Sequence, residues 1–219
     1  MNVDSIVLAS SPAIGPLTMR TLADSLGSLG FDVATPPAPS ALDRFVSVVR
    51  HHCPGGPFVL VGFSAAGPRL YAVADVTHPL AIVFMDARLP VADVAPDAES
   101  ALAELLDRLP VDPEGWLPPW PQWWPTEVMT SLIPDDGLRA RFVAECPRLE
   151  RAMYGVPTPA PDYGGPCGYL AFGNGYADQR DLAAGRGWPV ATLDDVGHLA
   201  PLVAPARVAT ALIDVIERL

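Results

Sequence analysis

Val59-Leu60-Val61-Gly62-Phe63-Ser64-Ala65-Ala66-Gly67 passes from an apolar run into a cluster of small residues, and Pro68 follows. An apolar strand breaking at a glycine into small residues reads as strand, sharp turn and helix, with Ser64 at the apex. Small neighbours are needed because strand and helix approach closely at such a turn. Gly62 and Ser64 fit the pattern Gly-x-Ser-x-Gly, with Ala66 in place of the second glycine. Pro68 falls in the first helical turn, where a missing N–H costs little. The geometry holds the serine hydroxyl at the top of a sheet. The bland alternative is a tight turn whose serine merely caps the helix.

Working outward, short apolar runs alternate with amphipathic ones. Strands are predicted at 6–9, 31–35, 58–61, 80–85, 168–172 and 190–193. Helices are predicted at 17–29 (closed by Gly30), 41–53 (capped by Ser40, with Asp43 in its first turn), 65–74, 179–186 and 206–219. Near-continuous apolar strands separated by helices imply an α/β fold, a doubly wound, mostly parallel sheet of about six strands. Between residues 90 and 166 no convincing strand is present. Helices are predicted there at 98–109, 126–133 and 138–146, together with four of the five tryptophans. The expectation is a single domain over 1–219 with a helical cap inserted after the fourth strand.

The 219 residues suffice for one sizeable core. Half are hydrophobic, and mean hydropathy is +0.25. No apolar run reaches the roughly 18 residues a membrane span needs. Met1-Asn2-Val3-Asp4 lacks the basic start of a secretory signal, so a soluble, cytoplasmic protein is expected. The net charge of −11 disfavours nucleic acid as a partner. It also disfavours anionic substrates, unless a local arginine such as Arg69 or Arg88 lies in the site. Cys53, Cys146 and Cys167 are widely spaced and match no metal-ligand spacing, so they read as reduced thiols. Gly173-Asn174-Gly175 does not open a phosphate-binding glycine motif. No metal or organic cofactor is implied. The expected partner is a small-molecule substrate, with the oligomeric state left open.

A serine hydroxyl needs a base to become a nucleophile. His51 and His52 end a predicted helix, and His78 precedes a strand. His198 differs. It follows the last predicted strand in Asp194-Asp195-Val196-Gly197-His198-Leu199 and precedes the last helix. Residues just after strands line the shared crevice of a doubly wound sheet, so Ser64 and His198 should meet there.

Gly62-Phe63-Ser64-Ala65-Ala66-Gly67, the late Gly197-His198 and the strand-end Phe84-Met85-Asp86 together resemble the α/β-hydrolase family over nearly the whole chain. The family's usual first hairpin is missing, so the chain looks like a minimal member. It looks like the small, capped, esterase-like and lyase-like members. The resemblance implies a carboxylate that orients the imidazole. Asp86 and Asp178 are both candidates, with Asp86 marginally preferred. It also implies an oxyanion hole. One donor is the N–H of Ala65, and the other comes from the loop after the first strand, here Ser10-Ser11-Pro12-Ala13-Ile14-Gly15. The expected donor is residue 12, and Pro12 has no N–H. Ala13, or a hydroxyl of Ser10 or Ser11, would have to replace it, or the hole is incomplete. One lost donor costs on the order of 3 kcal/mol of transition-state stabilisation.

Trp116, Trp120, Trp123 and Trp124 in a proline-stiffened stretch, with Phe63 near the serine, favour an apolar or ring-containing substrate. They equally suit packing of the cap. The leading expectation is a serine hydrolase acting on an ester or thioester. The alternative is a lyase, eliminating enzyme or cyclase of small-molecule biosynthesis, with His198 as general base and Ser64 as a polar guide. A non-catalytic ligand-binding relative is the third reading.

Overall fold

The computed structural model describes residues 3–39, 44–91, 95 and 100–219. Six strands form one parallel sheet: β1 (Ser5–Ala9), β2 (Asp32–Ala34), β3 (Val59–Phe63), β4 (Ala81–Met85), β7 (Cys167–Phe172) and β8 (Val190–Leu193). Their order is β2-β1-β3-β4-β7-β8. The direction of winding reverses between β1 and β3, which pair in parallel from Ile6 opposite Val59 to Ala9 opposite Gly62. Ligands bind at such a switch point, outside the carboxyl ends of the strands.

The central strands read as continuous apolar runs because both faces are covered. On one face lie Val59, Val61, Phe63, Val83, Met85, Leu170 and Phe172. Leu60, Ile82, Phe84, Tyr169 and Ala171 point to the other. This period of two feeds two cores from the same strands. Helices α1 (Leu17–Gly27) and α9 (Pro205–Glu217) cover the first face. Helices α2 (Phe45–His51) and α3 (Leu70–Thr77) cover the second.

Several element boundaries differ from expectation. The helix predicted over 65–74 begins as a 3₁₀ turn, Ser64–Arg69, and becomes α-helical only at Leu70. Gly67 leaves room for the turn to pack closely. A Cβ there would fall 2.2 Å from the Arg88 carbonyl oxygen and 2.9 Å from the Ala87 Cβ. The turn thus lies directly against the chain leaving β4. The capping role expected of Ser40 and Asp43 lies outside the described residues.

Between β4 and β7 the chain forms α4 (Ser100–Arg108), α5 (Thr126–Leu132) and α6 (Asp136–Glu145). It also holds two short strands that sequence reading did not anticipate, β5 (Trp116–Leu117) and β6 (Leu149–Glu150), paired antiparallel. At two residues each they carry no periodic signal. Helix α6 starts two residues earlier than predicted because the Asp135 side chain accepts the Leu138 N–H at 2.6 Å and caps it. This segment has its own small core, with Leu106, Leu117, Trp123, Leu149, Met153 and Tyr154 packed onto Ala13. Glu145 ties α6 to the frame by accepting the Leu17 N–H at 2.9 Å and the Arg20 guanidinium at 2.8 Å. The remaining helices are α7 (Ala177–Gly185) and the short α8 (Ala200–Val203). All three cysteines are free thiols. Burial pushes Cys146 up to about 11 and Cys167 up to about 12. Among the described residues no helix is long and apolar enough to cross a membrane.

Candidate active site

Ser64 leaves β3 with φ +56°, in the left-handed region that non-glycine residues rarely occupy. Such strain, about 1–3 kcal/mol, persists only where the surroundings enforce it. Here the packed β3 and the close approach of Gly67 enforce it. The strained turn lifts the hydroxyl off the sheet edge. Ser64 Oγ lies 3.0 Å from His198 Nε2, and His198 Nδ1 lies 2.6 Å from Asp86 Oδ2. With the proton on Nδ1, Nε2 accepts from the serine.

Asp86 is held on every side. It too has a left-handed backbone, φ +44°. Its N–H donates to the Leu170 carbonyl at 2.7 Å, and its Oδ1 accepts the Phe172 N–H at 2.9 Å. Behind it, the Tyr169 hydroxyl donates to the Ala87 carbonyl at 2.8 Å and accepts the Ala87 N–H at 3.2 Å. Only 1% of Asp86 is exposed, so the carboxylate sees the imidazole and the Phe172 N–H rather than water. The imidazole stacks on Phe63 at 4.8 Å and faces Tyr176 at 5.7 Å and Trp120 at 6.4 Å.

Asp178, the other candidate for the orienting carboxylate, is not the partner of His198. It lies in the first turn of α7 and accepts the Gln179 side-chain N–H at 2.9 Å, while His198 is paired with Asp86. Phe63, expected at the substrate, is fully buried at the end of β3 and supports the imidazole instead. Trp116 does not line the cavity above Ser64. It sits in β5, pinned by its N–H to Asp112 Oδ1 at 2.8 Å. Trp120, Trp123 and Trp124 do line it.

The loop after β1 is folded around Ser11. The Ala13 N–H donates to Ser11 Oγ at 3.2 Å, a serine turn that spans Pro12. Ala13 therefore has its N–H already engaged, and Pro12 has none. Ser10 is buried, and its hydroxyl donates to the Ser11 carbonyl at 3.4 Å. Ser11, Pro12, Ala65 and Ser64 all face the cavity. Since Ser11 Oγ accepts from Ala13, its own O–H is left to donate. Ala65 stands at the start of the 3₁₀ turn, where N–H groups have no partner within the helix.

The cavity measures about 540 Å³. Its roof is apolar, with Leu102, Leu105, Trp120, Trp124 and Leu132. Its floor carries the polar set. Two tyrosines that line the cavity were not singled out for the site by sequence. Tyr176 precedes α7, and its ring faces His198 at 5.7 Å. Burial pushes its phenol up. Tyr154 comes from the inserted segment and is likewise raised by burial. The legible signal for Tyr176 was its place directly after a strand-end turn. Tyr154 carried none. Among the described residues no cluster of His, Cys, Asp or Glu suits a metal ion.

No family model and no curated protein matches the chain. Solved structures do. An extracellular α/β-hydrolase from a Paenibacillus species is 15% identical with a TM-score of 0.75, over 96% of this chain and 98% of that one. Tomato methylketone synthase I, solved with 2-tridecanone, is 14% identical with a TM-score of 0.72, over 100% and 99%. A pyrethroid hydrolase from Sphingobium faniae is 18% identical with a TM-score of 0.70, over 99% and 98%. Likeness at these identities is likeness of fold, and together with the sheet order and the strained serine turn it establishes that this chain has the α/β-hydrolase fold.

Proposed function

We propose that the protein is a serine hydrolase acting on an ester or thioester of an apolar or ring-containing small molecule. The observation that carries this reading is the continuous chain Ser64–His198–Asp86, with links of 3.0 and 2.6 Å. Ser64 Oγ attacks the carbonyl carbon while His198 Nε2 takes its proton. Asp86 stabilises the imidazolium that results. The tetrahedral oxyanion is met by the Ala65 N–H and the Ser11 hydroxyl. Collapse expels the alcohol or thiol, protonated by His198. Water, activated by the same imidazole, then releases the acid from Ser64. Trp120, Trp123 and Trp124 supply the apolar cover over the acyl or leaving group.

A second reading has one specific observation in its favour. Pro12 removes the backbone donor from the oxyanion loop, and stabilisation of a tetrahedral oxyanion is what ester hydrolysis demands most. A lyase, eliminating enzyme or cyclase would use His198 as a general base on carbon and Ser64 as a guide. Tomato methylketone synthase I has this fold and is named a synthase rather than a hydrolase.

Kinetics on an ester and thioester panel separate the two. As a hydrolase, Ser64→Ala and His198→Ala each abolish turnover, because the pair acts as a unit. As a base-driven enzyme, His198→Ala costs far more than Ser64→Ala, and ester turnover stays at background.

A further inference from the structure

Arg69 is buried, 6% exposed, and it lines the same cavity as Ser64. Eight other arginines, Arg20, Arg108, Arg139, Arg148, Arg151, Arg180, Arg207 and Arg218, pair with carboxylates among the described residues. Arg69 pairs with none of the described carboxylates, in a chain with 25 acidic residues. Its one hydrogen bond runs from Nη1 to the Ala65 carbonyl at 2.9 Å, and its guanidinium lies over the Phe45 ring at 5.8 Å. A guanidinium carries five N–H donors in a fixed fork. The remaining donors have no acceptor among the described residues, and the nitrogens that bear them are not sealed in the protein interior.

Burying a cation without a counter-ion is costly. The ring contact offsets only a part of that cost. The cost is accepted here beside the serine turn, since the carbonyl that holds Arg69 belongs to the residue after Ser64. Tyr154 lies close enough to interact electrostatically with the guanidinium. Asp178 also faces the cavity, but it belongs to α7 and its Oδ2 is engaged by Gln179.

We propose that Arg69 anchors a carboxylate on the substrate, so that the cavity takes amphipathic acids rather than neutral apolar esters. This rests on the reading of Ser64 as the nucleophile. The substrate class is an ester or thioester that carries a free carboxylate a few bonds from the scissile carbonyl, with an apolar or aromatic remainder under the tryptophan roof. A planar fork and a planar carboxylate match in a bidentate manner.

Equilibrium binding tests this without any turnover. Phenylacetate and its neutral isostere phenylacetamide are titrated into the full-length protein by calorimetry. The acid is expected to bind about tenfold or more tightly, the scale of one charge-assisted pair. In Arg69→Gln that preference falls to near unity. Equal affinities in the wild type, or a preference that survives Arg69→Gln, overturn the proposal. Phenylglyoxal modification with peptide mapping gives a reading that needs no variant. Arg69 is expected to react and to be protected by phenylacetate but not by phenylacetamide. An Arg69 that stays unmodified while exposed arginines react also overturns it. Failure of the nucleophile reading shows separately, as a Ser64 that takes no phosphonate label while carboxylate binding persists.

Discussion

Ser64 and Asp86 share a left-handed backbone, and they are the two residues that bracket His198. His78 is the other non-glycine residue in that region among those described, and there it simply ends α3. The sequence places both candidate carboxylates after strands, so spacing alone leaves Asp86 and Asp178 open. Tertiary hydrogen bonds separate them. Asp86 is locked by Leu170, Phe172 and the Tyr169-held loop, whereas Asp178 sits on a helix start beside Gln179. Asp86→Asn is therefore expected to lower kcat by about ten-thousandfold, because the amide favours the wrong imidazole tautomer. Asp178→Asn should cost far less, and steady-state kinetics of the two variants decide it. A second residue-scale expectation concerns Ser11. If its hydroxyl donates to the oxyanion, Ser11→Ala lowers kcat about a hundredfold or more with little change in KM. A change confined to KM would assign Ser11 to ground-state binding instead.

At the level of elements, the sequence displayed what repeats and hid what happens once. Apolar strands with period-two burial and helices between them were legible, and the last large strand, Val190–Leu193, matches its expected bounds. The two-residue β5 and β6 were not, because no pattern fits in two residues. Nor was the cap on α1. Pro16 offers no side-chain cap, and the first helical N–H is taken by Glu145 from the far end of α6. That junction explains Gly15. A Cβ there would fall 2.4 Å from the Glu145 Cβ and 2.6 Å from its carbonyl oxygen, so the loop after β1 and the inserted segment meet backbone to backbone. Gly15→Ala is expected to destabilise the protein by about 1–3 kcal/mol, as overpacking does. A chain of this size loses about 2–4 °C in Tm per kcal/mol, so a thermal melt reads the effect directly. An unchanged Tm would mean that the segment yields at this contact.

Over the whole molecule, the parallel sheet brings four distant stretches together at the carboxyl ends of its strands. They are the Ser11 loop after β1, the Ser64 turn after β3, Asp86 after β4 and the His198 loop after β8. Doubly wound topology made that meeting foreseeable from strand order. The make-up of the cavity wall was foreseeable in part: Trp120, Trp123, Trp124 and Arg69 were named from the sequence, whereas Tyr154 and Tyr176 were not. Trp116 and its neighbour Trp120 look alike in the sequence, yet only Trp120 faces Ser64, because Asp112 and β6 turn Trp116 away. Tyr154 and Arg69 reach the cavity through contacts that span the inserted segment and the frame. We propose Ser64 as a nucleophile activated by His198 and Asp86. Intact-mass measurement after exposure to a small alkyl fluorophosphonate tests it most directly. The expected result is one adduct per chain in the wild type, absent in Ser64→Ala and slowed by orders of magnitude in His198→Ala. A folded wild type that takes no adduct, or a Ser64→Ala variant that still does, would contradict the claim.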